Sequence, residues 1–394
     1  FEGLEAKSVN CWPNVNFDIG AINNFLNIFF PAGFYYKTFM WPKSFWYKIY
    51  EPIIRKAAGF GAASTKHDKE RYEHKYEYCD LLIAGTGPSG LASAYAAAKN
   101  GAKVILAEDK SRYGGSLLTS EVTIGNQSGK EWAEQIISEL KSMPNVIVKN
   151  RSQVFGYYDH NMLVMTERVS DHLPKTDKYT PKQRLWYIRA EEVIISSGSI
   201  ERPLVFGNND APGVMLSSAA KEYLKIYGVL VGKKPIIFTN NDSGYETAIE
   251  FKKNGVDSIV LDTRKDVNSE IIKEAKELNI NIKFSYVVVA AKGYKKVNSA
   301  DIAKISDDKK VIGNIENIKC DCICVSGFWT PTIHLASQSG NKTKFDNEID
   351  AFVPSISKQK ETTLGAANGV FTLEETLKTS FEKGSELSKQ ITNK

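Results

Sequence analysis

The chain reads as an α/β protein built on two copies of a strand–turn–helix–strand unit, and three observations predict it. The apolar run Leu81-Leu82-Ile83-Ala84 leads into Gly85-Thr86-Gly87-Pro88-Ser89-Gly90, which opens the helical stretch Leu91 to Lys99. A second apolar run, Val104-Ile105-Leu106-Ala107, ends in Glu108, eighteen positions after Gly90. The order then recurs: laid without gaps, Gly244 falls on Gly90, Ser243 on Ser89, Ala248 on Ala94, Asn254-Gly255 on Asn100-Gly101 and Asp262 on Glu108. Strand, glycine turn, helix, strand and acid in this spacing form a dinucleotide-binding βαβ unit, and the repeat predicts two Rossmann-like units.

Each part of the first unit has a physical task. Gly85 permits a tight turn, Gly87 lets backbone amides approach a pyrophosphate, and Gly90 lets the helix pack closely on the strand. The helix N-terminus offers free N–H groups and partial positive charge to phosphates. Glu108 can accept hydrogen bonds from an adenosine ribose and would repel a 2′-phosphate. In the second unit, Thr239 and Asn241 stand where the first two glycines stand in the first. A Cβ at both places blocks close pyrophosphate approach, so this unit is expected to keep the fold without a nucleotide.

The remaining elements follow in chain order. Residues 1–78 are an irregular lead-in crowded with aromatic residues, among them Trp12, Phe25, Phe29, Phe34, Tyr35, Tyr36, Trp41, Trp46 and Tyr47, with prolines at 13, 31, 42 and 52 forbidding one long helix. So many rings must be buried against this chain's own body or another subunit. Lys66 to Glu77 reads as a charged linker. After Glu108, Gly114-Gly115-Ser116 lets backbone pass close to a bound cofactor. Trp132 to Met143 has helical spacing, and Val146-Ile147-Val148 begins a strand. Met162 to Glu167 and Arg184 to Arg189 read as a β-meander, and Glu192 to Ser199 as a buried strand ending in small residues. Strands are expected through Asn281 to Ala291, a lysine-rich hairpin region near 292–315, and the strand Cys320 to Val325 before Ser326-Gly327-Phe328-Trp329-Thr330-Pro331. Leu364-Gly365-Ala366-Ala367-Asn368-Gly369-Val370-Phe371 precedes an amphipathic helix from Leu373 to about Gln390.

Composition narrows the function. The chain has 394 residues, 51 basic and 46 acidic, with a net charge of +5. Interspersed charges of this balance make no case for nucleic acid. The stretch Phe25 to Tyr36 is broken by polar residues, Pro31 and Gly33 and is too short to span a bilayer. Phe1-Glu2-Gly3 is neither a signal-peptide start nor a translation start, which suggests a piece of something longer. The five cysteines, at 11, 79, 320, 322 and 324, form no disulfide framework or metal motif, so they are expected to be buried, inert thiols in a reducing cytoplasm. On a strand, Cys320, Cys322 and Cys324 would face one way. The five histidines (67, 74, 160, 172 and 334) are scattered and read as surface or structural residues, with His334 nearest the last motif.

The arrangement resembles the two-dinucleotide-binding-domain flavoproteins, which include thioredoxin reductase and glutathione reductase. Gly85 to Gly90, Glu108, Gly114-Gly115 and the Ser197-Gly198 strand end match their first domain, and 239–262 matches their second, inserted domain. Two departures stand out. There is no redox Cys-x-x-Cys. Where that superfamily has a Gly-Asp pair gripping the flavin ribityl chain, this chain has Gly365-Ala366-Ala367-Asn368, which argues against FAD in the first site. A closer resemblance is to the large subunits of heterotetrameric sarcosine oxidases. It is carried by Asn10-Cys11-Trp12-Pro13, Pro31-Ala32-Gly33-Phe34-Tyr35-Tyr36-Lys37-Thr38-Phe39-Met40-Trp41-Pro42, Ile54-Arg55-Lys56-Ala57-Ala58-Gly59, Arg71-Tyr72-Glu73-His74, Asp210-Ala211-Pro212-Gly213-Val214, Gly327-Phe328-Trp329-Thr330-Pro331 and Gly365-Ala366-Ala367-Asn368-Gly369.

That resemblance implies NAD bound noncovalently in this chain, with FAD and FMN held mainly by a beta subunit and gamma and delta subunits completing the complex. A ferredoxin-like domain and a folate-binding domain of the alpha subunit would lie outside these residues. Gly85, Gly87, Pro88 and Gly90 would cradle the pyrophosphate. Glu108, Asp109 and Lys110 would surround the adenosine end, with Gly115 and Ser116 beside it and Val154 packed on adenine. Ser197 and Gly198 would flank the pocket, and Ala366, Ala367 and Phe371 would close its far side. No catalytic or metal-binding residue is implied in this chain. The complex would demethylate sarcosine oxidatively to glycine, reduce O₂ to H₂O₂ and pass the one-carbon unit to tetrahydrofolate. A large subunit of a related amine, opine or proline dehydrogenase, or of hydrogen cyanide synthase, and a stand-alone FAD-dependent pyridine nucleotide reductase remain as alternatives. The expected organisation is a docking segment at 1–78, the NAD-binding domain at 79–208 and 320–394, and the degenerate second domain at 209–319.

Overall fold

The computed structural model describes residues 8–29, 33, 39–61, 65, 67–265 and 267–393. Two compact units partition the chain: Phe1–Glu70 with Leu173–Asp177, and Arg71–His172 with Lys178–Lys394. Most of the motif at 31–42 lies outside the described residues. The described part of the first unit holds a short antiparallel pair, Pro13–Asn14 with Phe17–Asp18, and short turns of helix, the longest being Glu51–Ala57. Its large apolar side chains stand out from it: Phe25, Trp41 and Tyr47 are each 82% exposed.

The second unit holds both α/β layers. Its first sheet runs in the order Val146–Lys149, Val104–Ala107, Tyr72–Ala84, Gln183–Ile195, Met162–Arg168, Ser152–Tyr158, and Glu361–Thr363 also pairs with Gln183–Ile195. The first four strands are parallel, as buried apolar runs such as Leu81–Ala84 require. Helices Pro88–Lys99, Gly129–Ser142 and Leu373–Thr392 pack Leu91, Ala94, Ile137, Leu140 and Leu387 onto one face. Fully burying a leucine-sized side chain contributes about 1.5–3 kcal/mol. Gly384 of the last helix sits against Ser93, where a Cβ would fall 2.4 Å from the Ser93 carbonyl oxygen. That close approach fastens the last helix to the helix of the glycine loop.

Two expectations change here. The second half of the segment read as a linker, Tyr72 to Glu77, forms the first half of a strand, Tyr72–Ala84, which pairs with Gln183–Ile195 along its length. Its charges are the inward row. Glu73 pairs with Arg184 at 3.0 Å and Glu77 with Lys103 at 3.0 Å, while Tyr76 faces out. The runs read separately at 184–189 and 192–199 are one strand, Gln183–Ile195. On its free side it pairs antiparallel with Met162–Arg168 and then parallel with Glu361–Thr363.

The second sheet is wholly parallel: Val214–Leu216, Cys322–Ser326, Pro235–Thr239, Ile259–Asp262 and Asn281–Phe284. Helices Ser217–Tyr227, Ser243–Lys253 and Glu270–Glu277 supply buried side chains to one face. The antiparallel strands Tyr286–Lys292, Ser299–Ile305 and Val311–Lys319 stack on the other. Cys322–Ser326 belongs to this second sheet, so its layer extends past the boundary expected at 319. The three cysteines do not face one way. Cys322 and Cys324 lie on the helical side with their sulfurs 3.6 Å apart, whereas Cys320, just before the strand, packs with Ile323 and Val325. Burial pushes the Cys79 and Cys320 thiols up to about 12.

Candidate dinucleotide site

The glycine loop lies where the strand Tyr72–Ala84 ends and the helix Pro88–Lys99 begins, at the carboxyl edge of the first sheet. Gly85 has φ 111°, and a Cβ there would lie 2.2 Å from the Ser196 carbonyl oxygen. A Cβ on Gly90 would lie 1.9 Å from the Gly85 carbonyl oxygen. These two glycines are demanded by the protein itself. Gly87 is different, because nothing stands within 4 Å of where its Cβ would be. It caps the helix with no side-chain hydrogen bond, and Pro88 takes the first helical position. An uncapped helix N-terminus beside open space is suited to a phosphate.

Glu108 closes the adjacent corner and is 7% exposed. Its Oε2 accepts from the Thr86 backbone N–H at 3.1 Å and from the Thr86 hydroxyl. Its Oε1 accepts from the Lys110 N–H at 3.0 Å. Burial raises the Glu108 carboxyl above the ordinary carboxylate value, with neighbouring Asp109 adding to the shift. Gly115 has φ +54°, and its Cβ would meet Gly87 Cα at 2.8 Å; the glycine pair therefore packs on the loop itself. Ser116 lies exposed in the short helix Gly115–Leu118.

The other expected residues are dispersed around this corner. The Asp109 carbonyl oxygen accepts from Arg168 at 2.5 Å. Lys110 reaches across to Glu222 on helix Ser217–Tyr227, with Nζ 3.0 Å from the carboxylate. Val154 is half-buried against the core cluster containing Leu82 and Ile105. Ser197 Oγ donates to the Thr332 carbonyl oxygen at 2.8 Å, and Gly198 accepts from the Thr332 N–H. Gly365 brings its short helix against Ser89, where its Cβ would lie 2.9 Å from the Ser89 Cβ. Ala367 is buried there, and Phe371 remains 36% exposed. Sequence reading missed Thr86, the anchor of Glu108; its signal is a hydroxyl inside the glycine motif, 22 residues before the acid that accepts from it.

The second loop is filled by its own side chains. Thr239 Oγ1 donates to the Asn241 carbonyl oxygen at 2.8 Å and accepts from the Asn241 N–H at 3.1 Å. The Asn241 amide donates to the carbonyl and hydroxyl oxygens of Ser326 at 3.1 and 3.2 Å, and its Oδ1 accepts from the Ser243 N–H at 2.9 Å. Asp262, the counterpart of Glu108, accepts from the Tyr245 hydroxyl at 2.7 Å and pairs with Arg264 at 2.9 Å. The space that would take a pyrophosphate is thus filled by Thr239 and Asn241, and Asp262, unlike Glu108, is paired with a cation, Arg264. Asn241→Ala is expected to lower stability by about 1–3 kcal/mol, because it strands buried partners, while leaving NAD⁺ affinity unchanged; thermal melts beside titrations check both.

The sequence profile of the family described as pyridine nucleotide-disulphide oxidoreductase matches residues 79–354. The chain belongs to this family. The match fits the paired α/β layers, and T. acidophilum thioredoxin reductase shares the fold, with a TM-score of 0.60 at 16% identity over 79% of this chain and 98% of that one. Sarcosine oxidase subunit alpha of Rhizobium meliloti (strain 1021) is 42% identical over 369 residues, covering 93% of this chain and 36% of that protein. Sarcosine oxidase subunit alpha of Corynebacterium sp. (strain P-1) is 32% identical over 317 residues, covering 79% of this chain and 33% of that protein. The chain thus spans 36% and 33% of the length of these curated relatives. Unlike what the family name describes, it carries no Cys-x-x-Cys. Among the described residues no group of three His, Cys, Asp or Glu side chains could hold a metal, and no helix is long and apolar enough to cross a membrane.

Proposed function

We propose that this chain is the NAD-binding body of the alpha subunit of a sarcosine oxidase complex, working in a reducing cytoplasm. The complex would oxidise sarcosine to glycine with reduction of O₂ to H₂O₂, and its one-carbon unit would pass to tetrahydrofolate at the folate-binding domain. FAD and FMN would be held mainly by the beta subunit, with gamma and delta subunits alongside. The identity along 93% of the chain supports the family of reaction. The observation that carries the cofactor assignment is the contrast between an open loop at Gly87 and a filled one at Asn241. Ala366 and Ala367, standing where a flavin-gripping carboxylate would be expected, favour NAD over FAD.

Gly85, Gly87 and Gly90 would bring backbone amides to the pyrophosphate, and Glu108 would accept from the ribose hydroxyls. Bound NAD supplies a ring able to accept hydride. The filled second loop, however, offers no site for a second nucleotide to exchange hydride with it. The bound nucleotide therefore serves the architecture of the subunit. The exposed rings of the first unit support its docking on the flavin-bearing subunit.

Ligands released from the denatured complex and weighed by mass spectrometry test the assignment. NAD equimolar with this chain is expected, and the chain purified without its partners should be colourless. FAD retained by the isolated chain would overturn the assignment. Addition of sarcosine to the complex is expected to produce peroxide without the absorbance of reduced nicotinamide, and appearance of that absorbance would contradict the architectural role.

A further inference from the structure

Phe328 is held in a backbone conformation that bulky side chains avoid. Its φ is 77°, in the left-handed region, where such a residue is a genuine outlier. Strain of this kind persists only when the surroundings over-determine it, and it clusters at ligand clamps and switches. Here the surroundings are evident. The Arg202 N–H donates to the Phe328 carbonyl oxygen at 2.8 Å, and the Gly327 N–H donates to the Arg202 carbonyl oxygen at 2.7 Å. Gly327 has no room for a side chain, since its Cβ would lie 2.7 Å from the Arg202 carbonyl oxygen. From its other end, the Arg202 guanidinium donates to the carbonyl oxygens of Asp350, Trp329 and Ile349 at 2.8, 3.2 and 2.9 Å.

The turn fastened in this way sets the Phe328 ring edge-to-face with Phe371, at 5.4 Å between centroids and 66° between planes. Phe371 follows the Gly365–Asn368 turn, which abuts Ser89 in the first turn of the glycine-loop helix. Sheet order locates the pair. Val104–Ala107, which leads to Glu108, lies on one side of the central strand Tyr72–Ala84; Gln183–Ile195 and then Glu361–Thr363, which leads to Gly365, lie on the other. A dinucleotide crossing the glycine loop with its adenosine at Glu108 would carry its second base toward the two phenylalanines.

On the reading that this pocket holds NAD and that Phe371 closes its far side, we propose that Phe328 completes the wall that receives the pyridine base, with the strained turn as the device that aims it. The Arg202 guanidinium lies over one side of the Phe328 ring, 6.0 Å from its centroid, and the T-shaped pair leaves the remaining ring faces for a third planar group such as a pyridine base. The strain is retained because relaxing the turn would withdraw the ring.

The test uses the full-length protein freed of nucleotide and titrated with NAD⁺ and with ADP-ribose, which lacks only the pyridine base. Phe328→Gly removes the ring and relieves the left-handed strain together. It is expected to weaken NAD⁺ roughly tenfold while leaving ADP-ribose affinity unchanged. Phe371→Ala, at an exposed position, should show the same split, and Phe328→Tyr should restore NAD⁺ binding. Parallel loss of both ligands, or loss of neither, would overturn the wall while leaving the NAD assignment standing. A wild-type protein that binds neither ligand would overturn the assignment and the wall with it.

Discussion

Gly87→Ala is expected to leave the melting temperature unchanged while weakening NAD⁺ binding roughly a hundredfold, a loss near 2.7 kcal/mol. Apart from Gly87 and its two chain neighbours, no protein atom lies within 4 Å of the new methyl group, and its backbone (φ −67°, ψ −175°) is ordinary for alanine. The methyl instead enters the space through which a pyrophosphate would reach the helix amides. Gly90→Ala is the contrasting case. Its methyl would sit 1.9 Å from the Gly85 carbonyl oxygen, and backbone cannot swing aside as a long side chain can. Overpacking typically costs about 1–3 kcal/mol and occasionally more, so Gly90→Ala should both melt early and fail to bind. Melting curves and titrations on the two variants separate the glycine placed for the ligand from the glycine placed for the fold.

Replacement of Glu108 carries the second large effect. Its two oxygens hold Thr86 and the Lys110 amide inside a 7%-exposed corner. Glu108→Gln keeps the shape but leaves one accepting oxygen, so either Thr86 or the Lys110 amide loses its partner. A buried donor left unsatisfied costs about 1–3 kcal/mol. Losing charge-assisted bonds to the ribose, each about 1.5–3 kcal/mol, should lower NAD⁺ affinity at least tenfold and narrow the preference for NAD⁺ over NADP⁺. The wild type should also bind NAD⁺ more weakly as pH falls. Burial and Asp109 raise the Glu108 pKa, so the accepting, ionised form begins to be lost at a pH above the usual carboxylate range. For the empty protein the sign is opposite. A raised carboxyl pKa makes this group's contribution most favourable below its unfolded value and erodes it as pH rises through the folded one. Binding isotherms and melts across the acid range would show the two trends crossing.

Glu121 adds a separate acid-sensitive tie. It joins Lys253 and Lys225 of the second layer at 2.7 and 3.3 Å. Hydrogen bonding to Lys253 lowers its pKa to about 2. Its stabilising contribution is present above the ordinary carboxylate value and is lost as pH falls toward about 2. Its side chain is 54% exposed, so solvent screening keeps the effect small.

Much of this was legible in the residues because the duplication is free of gaps: one offset carries Gly90 to Gly244 and Glu108 to Asp262. The filled second loop was legible for the same reason, since Thr239 and Asn241 replace glycines whose purpose is spatial. What stayed hidden is long-range. Tyr72 to Glu77 looked like a charged linker because its inward row is acidic and basic, and only Arg184 and Lys103, distant in sequence, give those charges partners. Gln183–Ile195 looked like two strands because polar residues interrupt it near the point where its neighbour changes. Lys110 is expected at the adenosine end, and its exposed ion pair with Glu222, 112 residues away, is a contact that no local pattern shows. No local pattern announces that Phe328 is left-handed; Arg202 imposes it.

Counting nucleotide equivalents tests the account most directly. Equilibrium dialysis of labelled NAD⁺ against the full-length protein should saturate at one equivalent per chain, fall away in Gly87→Ala at the same ligand concentration and persist in Asn241→Ala. Two equivalents, or a single equivalent that survives in Gly87→Ala and disappears in Asn241→Ala, would contradict the assignment of an open first loop and a filled second one.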